Sequence, residues 1–334
     1  MDLLTQGLLG AAMAQSVARQ QEVRIASGIG LFAGMIADAD ILIRSSDDPL
    51  LNIEFHRHFT HSIFFVPMGA LLVSLLLWLL LRSRLSFSRL YVLSFAGYCL
   101  AGVLDALTSY GTHLLWPWRD DRVALNIISV IDPVFTLILL LTVVLAFKKS
   151  AIRVARIGLL LATAYLCLGW IQLQRAEAQA VVLIKERAHT KERLLVRPTL
   201  ANLVLWRSIY EHDGRLYVDA IRVGFLSAPQ VYPGNSIKKF VLERDLGALP
   251  VSSVLATDIE RFRVFSAGWL GIHPAQPDVL VDVRYASLPN SVDPMWAIKI
   301  DRERSWEHAS FMVSRDSSRE TREKFLGLIM GMPQ

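Results

Sequence analysis

The heptapeptide HRHFTHS, residues 56–62, sets three histidines and an arginine into six positions, and an uncharged apolar run, residues 63–81, follows at once. Aspartates stand in apolar surroundings elsewhere in the same half of the chain: Asp38 and Asp40 in GLFAGMIADADILI, Asp105 in LDALTSYGTHLLWPW, and Asp132 before Pro133 in ISVIDPVFT. Imidazole with carboxylate is the ligand set of zinc, manganese and iron in hydrolytic sites. A cation among such aspartates would offset their mutual repulsion and bring the pKa of a bound water toward neutrality, which makes hydroxide available. His58 and His61 share a helical face if a helix starts before them, and His56 then reaches in from a turn. Asp38 and Asp40 can act together only where their helix has ended, because helical residues two apart face different ways. Each group also has a plainer role. Rim histidines anchor a bundle or hold a lipid headgroup, Asp38 caps a helix or pairs with Arg57, and Asp132 caps the helix that Pro133 begins.

These side chains must be positioned by membrane helices. Of 334 residues, 53% are hydrophobic, and the mean hydropathy of +0.40 is concentrated before residue 175. That composition indicates an integral membrane protein. The formal charge of +5 does not indicate nucleic acid, since the Lys and Arg residues cluster in short loops between apolar segments, where membrane orientation requires them. Cys99 and Cys167 fall inside apolar segments and read as small core hydrophobes. Four strong segments, residues 62–81, 90–107, 127–147 and 157–173, are each about long enough to cross the bilayer core. Two weaker ones, residues 3–17 and 25–43, precede them. The first ends in AMAQ like a cleavable signal, but Asp2 stands where a signal peptide carries Lys or Arg. The small residues of GLLGAAMA and GIGLFAG suit close helix packing instead.

Arg82, Arg84 and Arg89 join the first two strong segments, Lys148, Lys149, Arg153 and Arg156 the last two, and Arg19 and Arg24 flank the turn between the weak pair. The positive-inside rule puts all three loops in the cytoplasm. Six crossings then leave both termini, the loop around His56 and the loop of residues 109–126 on the opposite side. With that topology the bundle's aspartates and histidines gather at one rim, whereas errors of segment assignment would scatter them over both. Ionisable groups at membrane depth are expensive and mark function. His113 reads as a loop residue, and Trp116 and Trp118 as interfacial belt residues.

From about Arg175 charges return, and alternation in RLYVDAIRVGF, VLVDVRYAS and MWAIKIDRE predicts strands, while SSVLATDIERFRVFSAGWL and SRETREKFLGLIMG predict helices. The expected fold is therefore a membrane α-helical bundle of about six segments, four of them strong, over residues 1–174, followed by a small mixed α/β extramembrane domain over 175–334. His189, His212, His273 and His308 are single residues of that domain and read as surface. The sequence has no G-x-S-x-G elbow, phosphate loop or dinucleotide fingerprint.

Six separated stretches, in this order, resemble the YdjM-type family of bacterial inner-membrane proteins, described as membrane-bound metal-dependent hydrolases. MDLLTQGLLGAA resembles the family's start, GLFAGMIADADILI its Gly-x-x-x-Gly-x-x-Pro-Asp-x-Asp segment, and HRHFTHS its His-Arg-Gly-x-Thr-His-Ser. LDALTSYGTHLLWPW with ISVIDPVFT resembles its Asp-x-x-Thr-x-x-Gly-Thr and Ile-Asp-Pro elements, and RPTLANLVLWR the start of the outer domain in longer members. The chain departs at Ala37, where the pattern has proline, and at His58, where it has glycine, which makes His58 a less required ligand than His56 or His61; Gln6 in place of histidine removes one possible ligand from the first helix.

The resemblance implicates Asp38, Asp40, His56, Arg57, Thr60, His61 and Asp105. The reading is a metal-dependent hydrolase of the bacterial inner membrane, its site at the periplasmic rim and its carboxy-terminal domain periplasmic. His56, His61, Asp38, Asp40 and Asp105 would hold a divalent metal, zinc or manganese. Arg57 would steady an anionic substrate with its planar fork, and Thr60 or Thr108 would orient a ligand or the water. A site at a bilayer rim suits a partner that lives there, a membrane lipid or lipid-linked phosphodiester. The alternatives are a non-catalytic scaffold or regulator with a structural metal, and a transporter. Against transport, the cytoplasmic half of the bundle lacks the polar residues a pathway needs.

Overall fold

The computed structural model describes residues 1–332 except 248 and 251. The chain forms two compact units. One comprises Met1–Leu42, Phe55–Ile171 and Leu200–Leu203; the other comprises Ile43–Glu54, Gln172–Thr199 and Val204–Gln334.

The first unit is helical. Its helices are α1 (Leu3–Val17), α2 (Val23–Ile36), α4 (Val66–Leu81), α5 (Phe87–Tyr98), α6 (Ala101–Leu107) and α7 (Pro133–Lys149), with short α3 (Leu51–Phe55) ahead of α4 and long α8 (Ile152–Glu186) continuing into the second unit. Asp2 caps α1 by accepting from the Thr5 N–H, which satisfies one of the donors left over at a helix start. Small residues let α1 and α2 touch backbone to backbone, as their spacing predicts. A Cβ at Gly10 would lie 2.3 Å from the Gly30 carbonyl oxygen, and one at Gly34 would lie 2.4 Å from that of Gln6. Only glycine permits such an approach.

Among the described residues, three helical stretches are long and apolar enough to cross a membrane: Gln20–Leu42, Phe87–Leu107 and Ile152–Glu186. Leu51–His61 with Val66–Leu81, bent by 89°, makes a fourth if the pair is one span. Six crossings were expected, and the structure gives that count no support. The segment expected over 127–147 becomes helical only at Pro133, because Asp132 accepts from the Val134 and Phe135 N–H groups and starts α7 there. At 17 residues α7 rises about 25 Å, short of the ~30 Å hydrocarbon core. α1, with 15 residues, is shorter still.

The second unit is built on an eight-stranded sheet in simple order, β1 (Arg193–Pro198), β2 (Leu205–His212), β3 (Arg215–Arg222), β4 (Gln230–Lys239), β5 (Leu270–Ile272), β6 (Val279–Asp282), β7 (Trp296–Lys299) and β8 (Ser310–Val313). All neighbouring pairs are antiparallel. Asp213 and Gly214, both with positive φ, make the two-residue turn between β2 and β3, the left-handed geometry that matches strand twist in tight hairpins. α9 (Leu242–Leu246), α10 (Val254–Phe265) and α11 (Arg319–Met330) complete the unit. Ile209, Val218, Ile237, Val279 and Val281 form one core cluster, and Leu328 of α11 packs with Leu205, Ala220 and Tyr232. Buried Arg207 donates to the carbonyls of Val283, Leu288, Pro289 and Ser291, so a single guanidinium satisfies a loop that crosses the core. Burial, with Arg197 nearby, pushes that guanidinium down to about 9.

Arg261 on α10 holds the segment Ile43–Glu54. It donates bidentately to Asp48 at 2.9 and 3.0 Å, to Glu54 at 2.6 and 2.8 Å, and to Asp258 at 3.1 Å. The Arg261 guanidinium, against the cost of burial, holds the Asp48 carboxyl below its ordinary 3.8. A depressed carboxylate contributes stability that is complete above the ordinary value and is lost as the pH falls through the lowered one. Arg261→Ala is expected to speed amide hydrogen exchange across residues 43–54 roughly 10-fold or more while leaving the β-sheet protected, the pattern of a local opening. Exchange mass spectrometry of the purified chain reads it directly, and unchanged exchange in that segment would show the clamp to be idle.

Candidate metal centre

Four local decisions bring the polar side chains of the first unit together. α2 ends at Ile36, and the chain continues as a tighter 3₁₀ helix over Ala37–Leu42. Three residues per turn replace 3.6, so the helix does end before Asp38 although alanine, not proline, stands at 37. Next, Arg57 takes a left-handed conformation with φ 61°, uncommon for a non-glycine residue. Its N–H donates to Asp40 Oδ2 at 2.8 Å, while its carbonyl accepts from the Thr112 hydroxyl at 2.9 Å and the His113 N–H at 3.1 Å. One turn of 3₁₀ helix, Phe59–His61, then carries Thr60 and His61 inward, held by Tyr98, whose hydroxyl donates to the Thr60 carbonyl at 2.7 Å. Finally α6 presents Asp105, which is fully buried.

His61 is the centre of the group and is 1% exposed. Its Nδ1 lies 3.3 Å from Asp40 Oδ2 and 3.1 Å from the Thr60 hydroxyl. Its Nε2 lies 3.2 Å from Asp38 Oδ1 and 3.0 Å from Asp105 Oδ2, yet forms no hydrogen bond, and neither does Asp38 Oδ1. Buried polar atoms are nearly always satisfied. A nitrogen facing two carboxylate oxygens without bonding either is a donor set suited to a cation. Asp38, Asp40 and His61 offer ligand atoms all within 4.8 Å of one another, and their oxygen and nitrogen donors suit zinc or manganese.

The remaining predicted residues surround that trio. His56 Nδ1 is 3.0 Å from Asp40 Oδ1, and Asp105 reaches the trio through His61, but neither joins the three in the compact donor group. Arg57 is 4% exposed; its guanidinium lies 3.2 Å from Asp105 Oδ1 and donates to the Met1 carbonyl at 2.9 Å, so here it neutralises a carboxylate. Thr60 donates to Asp40 Oδ2 at 2.5 Å and thereby fixes that carboxylate. Thr108 turns away, donating to the Asp105 carbonyl at 2.8 Å at the end of α6. His58 and His61 share no helical face, because α3 stops at Phe55 and His58 precedes the 3₁₀ turn. Asp132 is occupied by its capping bonds and by Tyr165, whose hydroxyl donates to it at 3.0 Å.

Gln6 was noted in the sequence only as a ligand lost, yet its amide donates to Asp105 Oδ2 at 2.8 Å, and the Met1 amino group also meets Asp105. Gly102 is a further member: a Cβ there would sit 1.8 Å from the His61 carbonyl oxygen. No local pattern marks Gly102, whose neighbour is distant in sequence. In the second unit, His189 and His212 stack at 4.2 Å and His308 bonds Asp258 at 2.9 Å, so these three are not solitary surface residues. Asp48, Asp258 and His308 also lie within metal-ligand range, but Arg261 already bonds both carboxylates.

No curated protein and no solved structure matches the chain. The family model described as YdjM inner membrane protein matches residues 1–176, more than half of the sequence, and the matched stretch contains all four of those elements. With its apolar helices and its buried group of aspartates around His61, the chain belongs to the YdjM inner membrane protein family.

Proposed function

We propose that the chain is a metal-dependent hydrolase embedded in the inner membrane, with its site at the periplasmic rim and a lipid or lipid-linked phosphodiester as substrate. What carries the reading is the buried His61 Nε2, set between Asp38 and Asp105 without a hydrogen bond. Asp38, Asp40 and His61 would hold a divalent cation, with His56 and Asp105 as the neighbouring donors. Such a cation supplies Lewis-acid activation of water at neutral pH. Thr60 and His56 orient Asp40, and Arg57 balances Asp105, so the donor set is fixed before any substrate arrives. Hydrolysis of a lipid ester is the chemistry that a site at this rim would meet.

One observation favours a second reading, a non-catalytic membrane scaffold with a structural metal. Asp40, His61 and Asp105 are each at most 2% exposed, and Asp38 only 9%, as in closed structural sites. The test is the metal content of the detergent-purified full chain, wild type beside His61→Ala, followed by hydrolysis assays on lipid phosphodiesters. Stoichiometric zinc or manganese lost in the variant, with turnover lost alongside it, supports the hydrolase. Metal lost with no turnover in either protein supports the scaffold. Equal metal in both proteins, or none in wild type, sinks both.

A further inference from the structure

We propose a second metal site, formed by His58, His113 and Asp120, that takes zinc or another late first-row divalent cation independently of the Asp38, Asp40 and His61 group. The three residues offer donor atoms all within 4.8 Å of one another. His58 Nε2 and His113 Nδ1 each lie 3.3 Å from the same oxygen, Asp120 Oδ1, beyond the usual 2.9–3.0 Å of an N–H···O hydrogen bond. His113 Nδ1 is buried and makes no hydrogen bond. A buried ring nitrogen left in that condition is destabilising, and a shared cation relieves it.

The backbone presets the two imidazoles. The His113 N–H donates to the Arg57 carbonyl at 3.1 Å, and the His113 carbonyl accepts from the Trp116 N–H at 3.2 Å. The His58 N–H donates to the Phe55 carbonyl at 3.1 Å. The two rings stand 4.3 Å apart, centroid to centroid, tilted by 37°, so that both nitrogens converge without stacking. Rings of Phe55, Phe59 and Trp116 pack around His58 at 5.6, 6.3 and 5.7 Å, and this wall keeps the two imidazoles largely out of water. The carboxylate is different: the Asp120 side chain is 78% exposed. Two fixed nitrogens on the protein side and one oxygen on the solvent side leave a tetrahedral cation a fourth position open to water, as zinc with three protein ligands has. Two imidazoles favour zinc, nickel or copper over magnesium or calcium, which take oxygen ligands. Arg122, over the Tyr110 ring at 4.9 Å with its guanidinium donating to the His56 carbonyl, adds a positive charge that the Asp120 carboxylate offsets.

The experiment is a zinc titration of the full chain in detergent, stripped of metal and read against a competing chromophoric chelator, with cobalt as the spectroscopic probe. The protein set is wild type, Asp120→Asn, His113→Asn and His61→Ala. His61→Ala should retain one zinc equivalent, and a double variant adding Asp120→Asn should lose it or bind more than ~100-fold weaker, since even outer-shell changes cost 10–100-fold. Cobalt should give a ligand-field band in wild type that Asp120→Asn alters. Because Asp120 is exposed, Asp120→Asn keeps the fold; if His61→Ala does not fold, wild type against Asp120→Asn reads the same loss. Equal zinc stoichiometry and affinity in wild type, Asp120→Asn and His113→Asn overturns the site, as does a wild type that binds no zinc. A loss confined to His61→Ala also overturns it while leaving the hydrolase reading standing.

Discussion

Asp105→Ala is expected to be the most damaging single substitution in the helical unit, costing about 3–5 kcal/mol, the usual range for removing one member of a buried ion pair. Asp105 is fully buried; it lies 3.2 Å from the Arg57 guanidinium and 3.0 Å from His61 Nε2, accepts from Gln6 at 2.8 Å and meets the Met1 amino group. Alanine leaves the Arg57 guanidinium as a buried charge without that carboxylate and opens a cavity beside His61. Asp105→Asn keeps the size and an acceptor but not the charge, so it should fall between wild type and alanine. Apparent melting temperatures in detergent, with and without added zinc, separate two contributions. Without metal the order should be wild type above asparagine above alanine. A ligand that binds only the folded state raises the melting temperature, so zinc should raise that of wild type and do so less for both variants. An alanine variant that melts with wild type would show that the Asp105 pairs contribute nothing.

Gly102→Ala should be nearly as harmful through packing alone. The new methyl would sit 1.8 Å from the His61 carbonyl oxygen, a backbone atom that cannot rotate away. Either α6 or the 3₁₀ turn at Phe59–His61 must shift, and overpacking of this kind costs up to ~3 kcal/mol. Asp105 is on the same helix, one turn further on, so the shift also changes its distance to His61. Metal affinity should therefore drop at least ~10-fold, in line with the effect of disturbing groups that orient ligands. Gly28 is the control. A Cβ there meets nothing within 4 Å, and Gly28→Ala in the middle of α2 should be neutral or stabilise by roughly 0.5–1 kcal/mol. The comparison needs only metal titration and thermal unfolding of the two variants. Equal behaviour of the pair would refute the close approach.

The sequence by itself determined a good deal here, and for local reasons. Long apolar runs, alternating strands and the Asp132–Pro133 start of α7 are written in residues close together in the chain. Period and composition identify them without knowledge of what they pack against. The small residues of α1 and α2 announce a close approach in the same way. The sequence also named Asp38, Asp40, His61 and Asp105, because an ionisable group inside an apolar segment is costly wherever it ends up.

Tertiary structure decided which atoms meet. Whether Asp38 and Asp40 leave α-helical geometry depends on the 3₁₀ turn at Ala37–Leu42, which the sequence offered only as a condition. Arg57 looked like a substrate clamp from its chemistry, but its partner Asp105 comes from a helix far along the chain. His58 stood where the family pattern has glycine and His113 read as a loop residue, yet the left-handed Arg57 backbone joins their segments through its carbonyl. Ile43–Glu54 reads as a simple connection between two apolar segments, yet Arg261 binds it into the second unit. The contacts of Arg57 and Arg261 close long loops, and their free energy depends on the packing at both ends. Local propensity carries no record of that packing, so the elements could be read from the chain while the geometry of both candidate sites belongs to the fold.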